Sequence, residues 1–67
     1  MKPLNGKQMI DLLKKHGWEI DRIQGSHYIL MKEGSDAAIS VPVHGKRELK
    51  PGVQYGILKD AGLAAKK

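Results

Sequence analysis

Sixty-seven residues leave room for one domain and no more, and a chain this short buries only about 60% of the surface its unfolded form exposes. With no cysteine, disulfides and thiolate zinc sites are excluded, and no apolar run approaches the roughly 20 residues of a membrane span. Twelve Lys and Arg against seven Asp and Glu give a net charge of +5 and a pI near 9.7, which suits a polyanionic partner or solubility alone.

The distribution of charge says more than its total. Residues 1–17 hold four positive charges and one negative, residues 18–43 two positive and four negative, and residues 44–67 six positive and two negative. Basic ends around a slightly acidic middle let one surface attract phosphate while another attracts a different partner. The start, MKPLNGKQM, lacks the apolar stretch of a secretory signal, and the absence of cysteine suits a reducing compartment. A cytoplasmic location is the expectation.

The first segment, NGKQMIDLLKKHG, has Met9, Ile10, Leu12, Leu13 and His16 on one side at helical spacing, with Asn5 as N-cap and Gly17 past the end. The period then changes. In WEIDRIQ, Trp18 and Ile20 alternate with Glu19 and Asp21, as in a half-buried strand. A tight connection at Gln24-Gly25 leads into SHYILMK and makes an antiparallel hairpin. KEGSD is a second turn, after which AAISVPV places Ala37, Ile39, Val41 and Val43 on one side, with Pro42 marking an edge or an end.

HGKREL is a polar, basic connection, and Pro51 marks the first turn of a second helix. Val53, Ile57, Leu58 and Ala61 form that helix's apolar stripe, Gly62 closes it, and the AAKK tail is expected to fray. The predicted fold is α+β, in the order α-β-β-β-α, a single domain over residues 1–67. Its two helices cover one face of a three-stranded antiparallel sheet. The other face stays free for a partner, with the negative residues concentrated at the sheet centre.

The three histidines, His16, His27 and His44, are too dispersed for a recognisable metal-ligand cluster, so no metal and no cofactor are expected. His16 suits packing and capping at the end of the first helix. His27 opens a strand directly after Gly25 and Ser26, near the sheet end. An imidazole there is either a surface side chain beside a turn or a group able to move a proton, as attack by an RNA 2′-OH requires. Alternation sets His27 with Ile29 and Met31, opposite Tyr28 and Leu30, without saying which side meets the helices. His44 sits where the third strand should end, among the densest positive charge. Lys46, Arg47 and Lys50 lead into the second helix, whose first N–H groups would complete a phosphate cradle. Trp18 and Tyr55 suit core or boundary packing.

The stretches KQMIDLLKKHGWE, QGSHYIL and VPVHGKRELKPGVQYGILKDAGL, in this order and at this length, resemble the HicA toxins, the RNA-cleaving halves of HicA–HicB toxin–antitoxin pairs. The resemblance runs from Lys7 to about Leu63. It implies a fold like that of a double-stranded-RNA-binding domain, and metal-independent cleavage of mRNA that arrests translation. It further implies a cognate HicB-type antitoxin that blocks the site. The family's catalytic histidine maps onto His27, with Gly25 and Ser26 as the supporting turn.

One imidazole cannot both take the 2′-OH proton and protonate the leaving 5′-oxygen in one concerted step. His44 is therefore the candidate helper, and Lys46, Arg47 or Lys50 the candidates for phosphate charge and RNA binding. Two other readings share the basic surface: a non-catalytic double-stranded-RNA-binding module, and a ribosome-associated or DNA-binding protein.

Overall fold

The computed structural model describes residues 3–63, so the expected fraying of AAKK lies outside the described residues. Five elements follow in order: α1 (Gly6–Lys15), β1 (Trp18–Gln24), β2 (His27–Lys32), β3 (Ala38–Pro42) and α2 (Pro51–Asp60). The α+β order is the predicted one.

Helix α1 begins with a reciprocal cap. The Asn5 side chain accepts from the Gln8 backbone N–H at 2.8 Å, and the Gln8 side chain accepts from the Asn5 N–H at 3.0 Å. Two of the first turn's unpaired donors are satisfied this way. Met9, Ile10 and Leu13 are buried, but His16 is not. It is the C-cap residue, its backbone already leaving the helix, and its ring faces solvent rather than the apolar side.

The sheet order is β1-β2-β3, all antiparallel, with β2 at the centre. Residues paired across strands share a face. Leu30 stands opposite Ile20 and Ile39, and Tyr28 opposite Ile23 and Val41. This is the helix side. Leu30, Ile39 and Val41 join Met9, Ile10 and Leu13 of α1 and Ile57 and Leu58 of α2 in one core, with Trp18 and Leu49. Both helices therefore cover the same face. Met9, Leu13, Leu30 and Val41 are fully buried, each worth roughly 1.5–3 kcal/mol.

The ladder of β1 slips once, between Ile20 and Arg22, so Asp21 is an extra residue. That bulge returns Ile23 to the side of Trp18 and Ile20, where it is 54% exposed beyond the helices. The strand β3 is an edge and ends at Pro42, as Pro42 requires; Ala37 precedes the strand and is exposed. Acidic residues do not collect at the sheet centre. Glu19 and Asp21 lie on edge strand β1, and Glu33 and Asp36 on the β2–β3 connection.

Helix α2 departs from the expected stripe in one respect. Val53 is 41% exposed, while Gln54 is only 4% exposed and accepts the Leu4 N–H at 2.8 Å through Oε1. The buried stripe runs Gln54, Ile57, Leu58, with Ala61 half-buried. At its end Gly62 N–H donates to the Lys59 carbonyl and Leu63 N–H to the Leu58 carbonyl, closing the helix in a Schellman arrangement.

Candidate active site

The hairpin loop is Gly25-Ser26, flanked by the pair Gln24–His27. Gly25 adopts φ 59° and Ser26 does not take a positive φ. A two-residue loop with glycine alone in the left-handed region follows the twist of the strands and fixes the first residue of β2 tightly against its neighbour. Ser26 is anchored from the far side as well, because its carbonyl accepts the Val43 N–H at 2.8 Å.

That bond settles the character of the next pair. His27 stands opposite Pro42. With Ser26 and Val43 hydrogen-bonded, the flanking His27–Pro42 pair is the close, non-bonded kind, about 4.5 Å between Cα atoms. Pro42 has no N–H to offer and none is wanted there. His27 thus sits at the end of the central strand, exposed, on the face away from both helices. Met31 and Ile29 share that face, and Ile29 is buried at 9% exposure without joining the core.

Beyond Pro42 the chain turns. Arg47 N–H donates to the His44 carbonyl at 3.1 Å across Gly45 and Lys46, with Gly45 at φ 63°. The turn sets His44 and Arg47 side by side and sends Lys46 to its tip. A cleft of about 450 Å³ opens here, lined by Pro42, His44, Arg47, Glu48, Leu49, Lys50 and Val53. Its far wall is the start of α2, where Lys50 is the N-cap residue and makes no side-chain cap. The backbone N–H groups of the first turn are therefore left to other partners.

Of the sequence-predicted residues, His44, Arg47 and Lys50 come together in one cleft. His27 stands beside it through Pro42, and Gly25 and Ser26 form the turn beneath His27. Lys46 does not line the cleft. Sequence reasoning missed Pro42, Glu48, Leu49 and Val53 as lining residues, and it missed Gly6. A Cβ on Gly6 would lie 2.5 Å from the Pro42 carbonyl oxygen and 2.8 Å from Val43 Cγ2, so α1 starts hard against the strand end that carries the cleft. Tyr55, expected to pack, is 50% exposed and borders a separate shallow cleft with Pro3, Leu49, Pro51 and Gln54. Among the described residues no three His, Asp or Glu side chains are grouped to hold a metal ion, and no helix is long and apolar enough to cross a membrane.

The family model described as "HicA toxin of bacterial toxin-antitoxin" matches residues 6–63. The match takes in every element, from the first residue of α1 to the Leu63 that closes α2. No curated protein shows significant similarity to the chain.

Proposed function

The chain belongs to the HicA toxin family, and on that premise we propose that it is a metal-independent mRNA endoribonuclease that arrests translation, with His27 as its general acid/base residue, acting as the base in the attack, and His44 as its helper. Family membership makes it the toxin of a toxin–antitoxin pair and implies a HicB-type antitoxin partner. The proposed place of action is the cytoplasm, where mRNA is found, and the fold is read as one of the double-stranded-RNA-binding type.

The observation that carries the reading is the place of His27. It is an exposed imidazole at the end of the central strand, on the uncovered face, one strand away from a cleft with three groups that can carry positive charge. In this reading RNA crosses the open face with its scissile phosphate at the mouth of the cleft. The His27 imidazole takes the proton of the 2′-OH as its oxygen attacks phosphorus. The P–O5′ bond then breaks, and the 5′-oxygen leaves with a proton from His44, giving a 2′,3′-cyclic phosphate and a free 5′-OH. Arg47, Lys50 and the first N–H groups of α2 stabilise the charge that builds on the phosphate oxygens.

The test is cleavage of a defined mRNA, in EDTA, by the chain and by His27→Ala, with circular dichroism to verify that both fold. His27 is exposed, so its removal is expected to leave the fold intact and abolish cleavage. Cleavage by neither, with RNA still bound, would point to the non-catalytic binding module instead. Equal cleavage by both would remove His27 from the mechanism.

A further inference from the structure

Among the residues lining the cleft beside His27, one carries a negative charge. His44, Arg47 and Lys50 are potential cations; Glu48 is the one acidic residue lining the same cleft. Its backbone is held on both sides. Glu48 forms an isolated antiparallel bridge with Asn5, and the next residue, Leu49, donates its N–H to the Leu4 carbonyl at 2.7 Å and is buried at 8% exposure. With Leu49 turned into the core, Glu48 is left on the outer side, and there it lines the cleft. Among the described residues the ion pair formed is Arg22 with Asp21, and Glu48 takes part in none.

A carboxylate accepts hydrogen bonds and donates none, and it repels phosphate. In a cleft that takes RNA, its partners must be N–H or O–H donors. RNA offers two kinds: the amino and imino groups of the bases, and the ribose 2′-OH. Three apolar residues, Pro42, Leu49 and Val53, also line the cleft. Such walls suit the flat face of a base better than a ribose.

Resting on the ribonuclease reading above, we propose that Glu48 selects the base of the nucleotide seated in this cleft, next to the scissile phosphate. The selection favours guanine over uracil. The N1–H and N2–H groups of guanine lie parallel and meet both carboxylate oxygens at once, a charge-assisted two-point contact. Uracil brings a single N3–H flanked by two carbonyl oxygens that the carboxylate repels. Discrimination of roughly tenfold or more is expected from one contact of this kind.

The experiment is cleavage of an RNA library with a randomised single-stranded segment, by the wild-type chain and by Glu48→Gln, with the cut ends sequenced. The readout is the ratio of guanine to uracil at each position flanking the cut. That ratio is internal to one reaction, so partial loss of folded protein does not move it. Wild type is expected to prefer guanine roughly tenfold at one flanking position, and Glu48→Gln to bring that ratio close to one. An unchanged base profile in Glu48→Gln overturns the inference and leaves the nuclease standing. So does an effect of Glu48→Gln that is equal across bases and disappears when the nucleotide on the 3′ side of the cut, whose 2′-OH is not the attacking group, is a deoxynucleotide. Absence of any cleavage by wild type removes the nuclease reading, and this inference with it.

Discussion

Gly6 and Pro42 meet with no room between them: a Cβ on Gly6 would stand 2.5 Å from the Pro42 carbonyl oxygen and 2.9 Å from Val43 Cα. Both of these atoms are backbone and cannot swing aside as a flexible side chain can. Gly6→Ala should therefore destabilise the fold by about 1–3 kcal/mol through overpacking. Each kcal/mol lowers Tm by roughly 4–8 °C in a domain of this size. Gly56→Ala is the matched control. It lies inside α2 with nothing within 4 Å of the new methyl, and should stabilise by about 0.5–1 kcal/mol. Thermal denaturation of the two variants decides it. A Gly6→Ala chain as stable as wild type would show that α1 is not seated against the strand end.

Trp18 is 3% exposed, and its Nε1 is buried without a hydrogen-bond partner. A buried donor left unmet costs about 1–3 kcal/mol. Trp18→Phe removes that donor while keeping a large ring, so the lost packing is offset in part. The expected net change is within about 1 kcal/mol of neutral, against the 2–5 kcal/mol usual for truncating a buried leucine such as Leu30 to alanine. Urea denaturation of Trp18→Phe and Leu30→Ala measures both, and equal losses would contradict the account.

His44 is assigned the proton for the leaving oxygen. His44→Ala should slow cleavage by about 10²-fold or more while leaving RNA binding nearly intact, since general acid catalysis typically contributes 10²–10⁴-fold. Single-turnover kinetics separate the two effects. Near-normal cleavage by His44→Ala would return the second proton to water or to another group.

The cleft sorts the basic residues. Arg47 and Lys50 line it and Lys46 does not. Arg47→Ala and Lys50→Ala should each weaken RNA binding across all sequences and reduce the salt dependence of binding by about one counterion. Lys46→Ala should do distinctly less. Affinities measured at several salt concentrations test this ordering, and a dominant effect of Lys46 would place the phosphates at the tip of the turn instead.

The antitoxin is expected to cover the face that carries His27, Ile29 and Met31. Hydrogen exchange of the toxin with and without its partner should then show added protection in residues 24–32. No change there would move the interface elsewhere.

Much of the fold was legible because its signals are local. Asn5 reads as a cap, Trp18 and Ile20 alternate, Gly25 breaks the run before His27, and Pro51 starts a helix. The failures share one cause, contacts between residues far apart in sequence. Gln54 looks polar within its helix, and nothing nearby reveals that the Leu4 amide, 50 residues away, satisfies it in the core. Gly6 looks like a helix-start glycine until β3 arrives against it. The Asp21 bulge shifts the register of β1 without any turn residue to announce it. The face on which His27 lies was undecidable from alternation, since only packing of α1 and α2 distinguishes Leu30 from Ile29. For the candidate site, the basic run from Lys46 to Lys50 was visible. Which of its members face one cleft depends on the His44–Arg47 turn.

His27 belongs to the central strand, clasped by Gln24 on one side and Pro42 on the other, with the Ser26–Val43 bond locking the corner. Its backbone cannot shift without breaking the Gln24–His27 pairing and disturbing the Ser26–Val43 bond beside it. In the ribonuclease reading, the weapon has no safety catch of its own. Restraint then has to be supplied from outside, by the antitoxin partner that family membership implies.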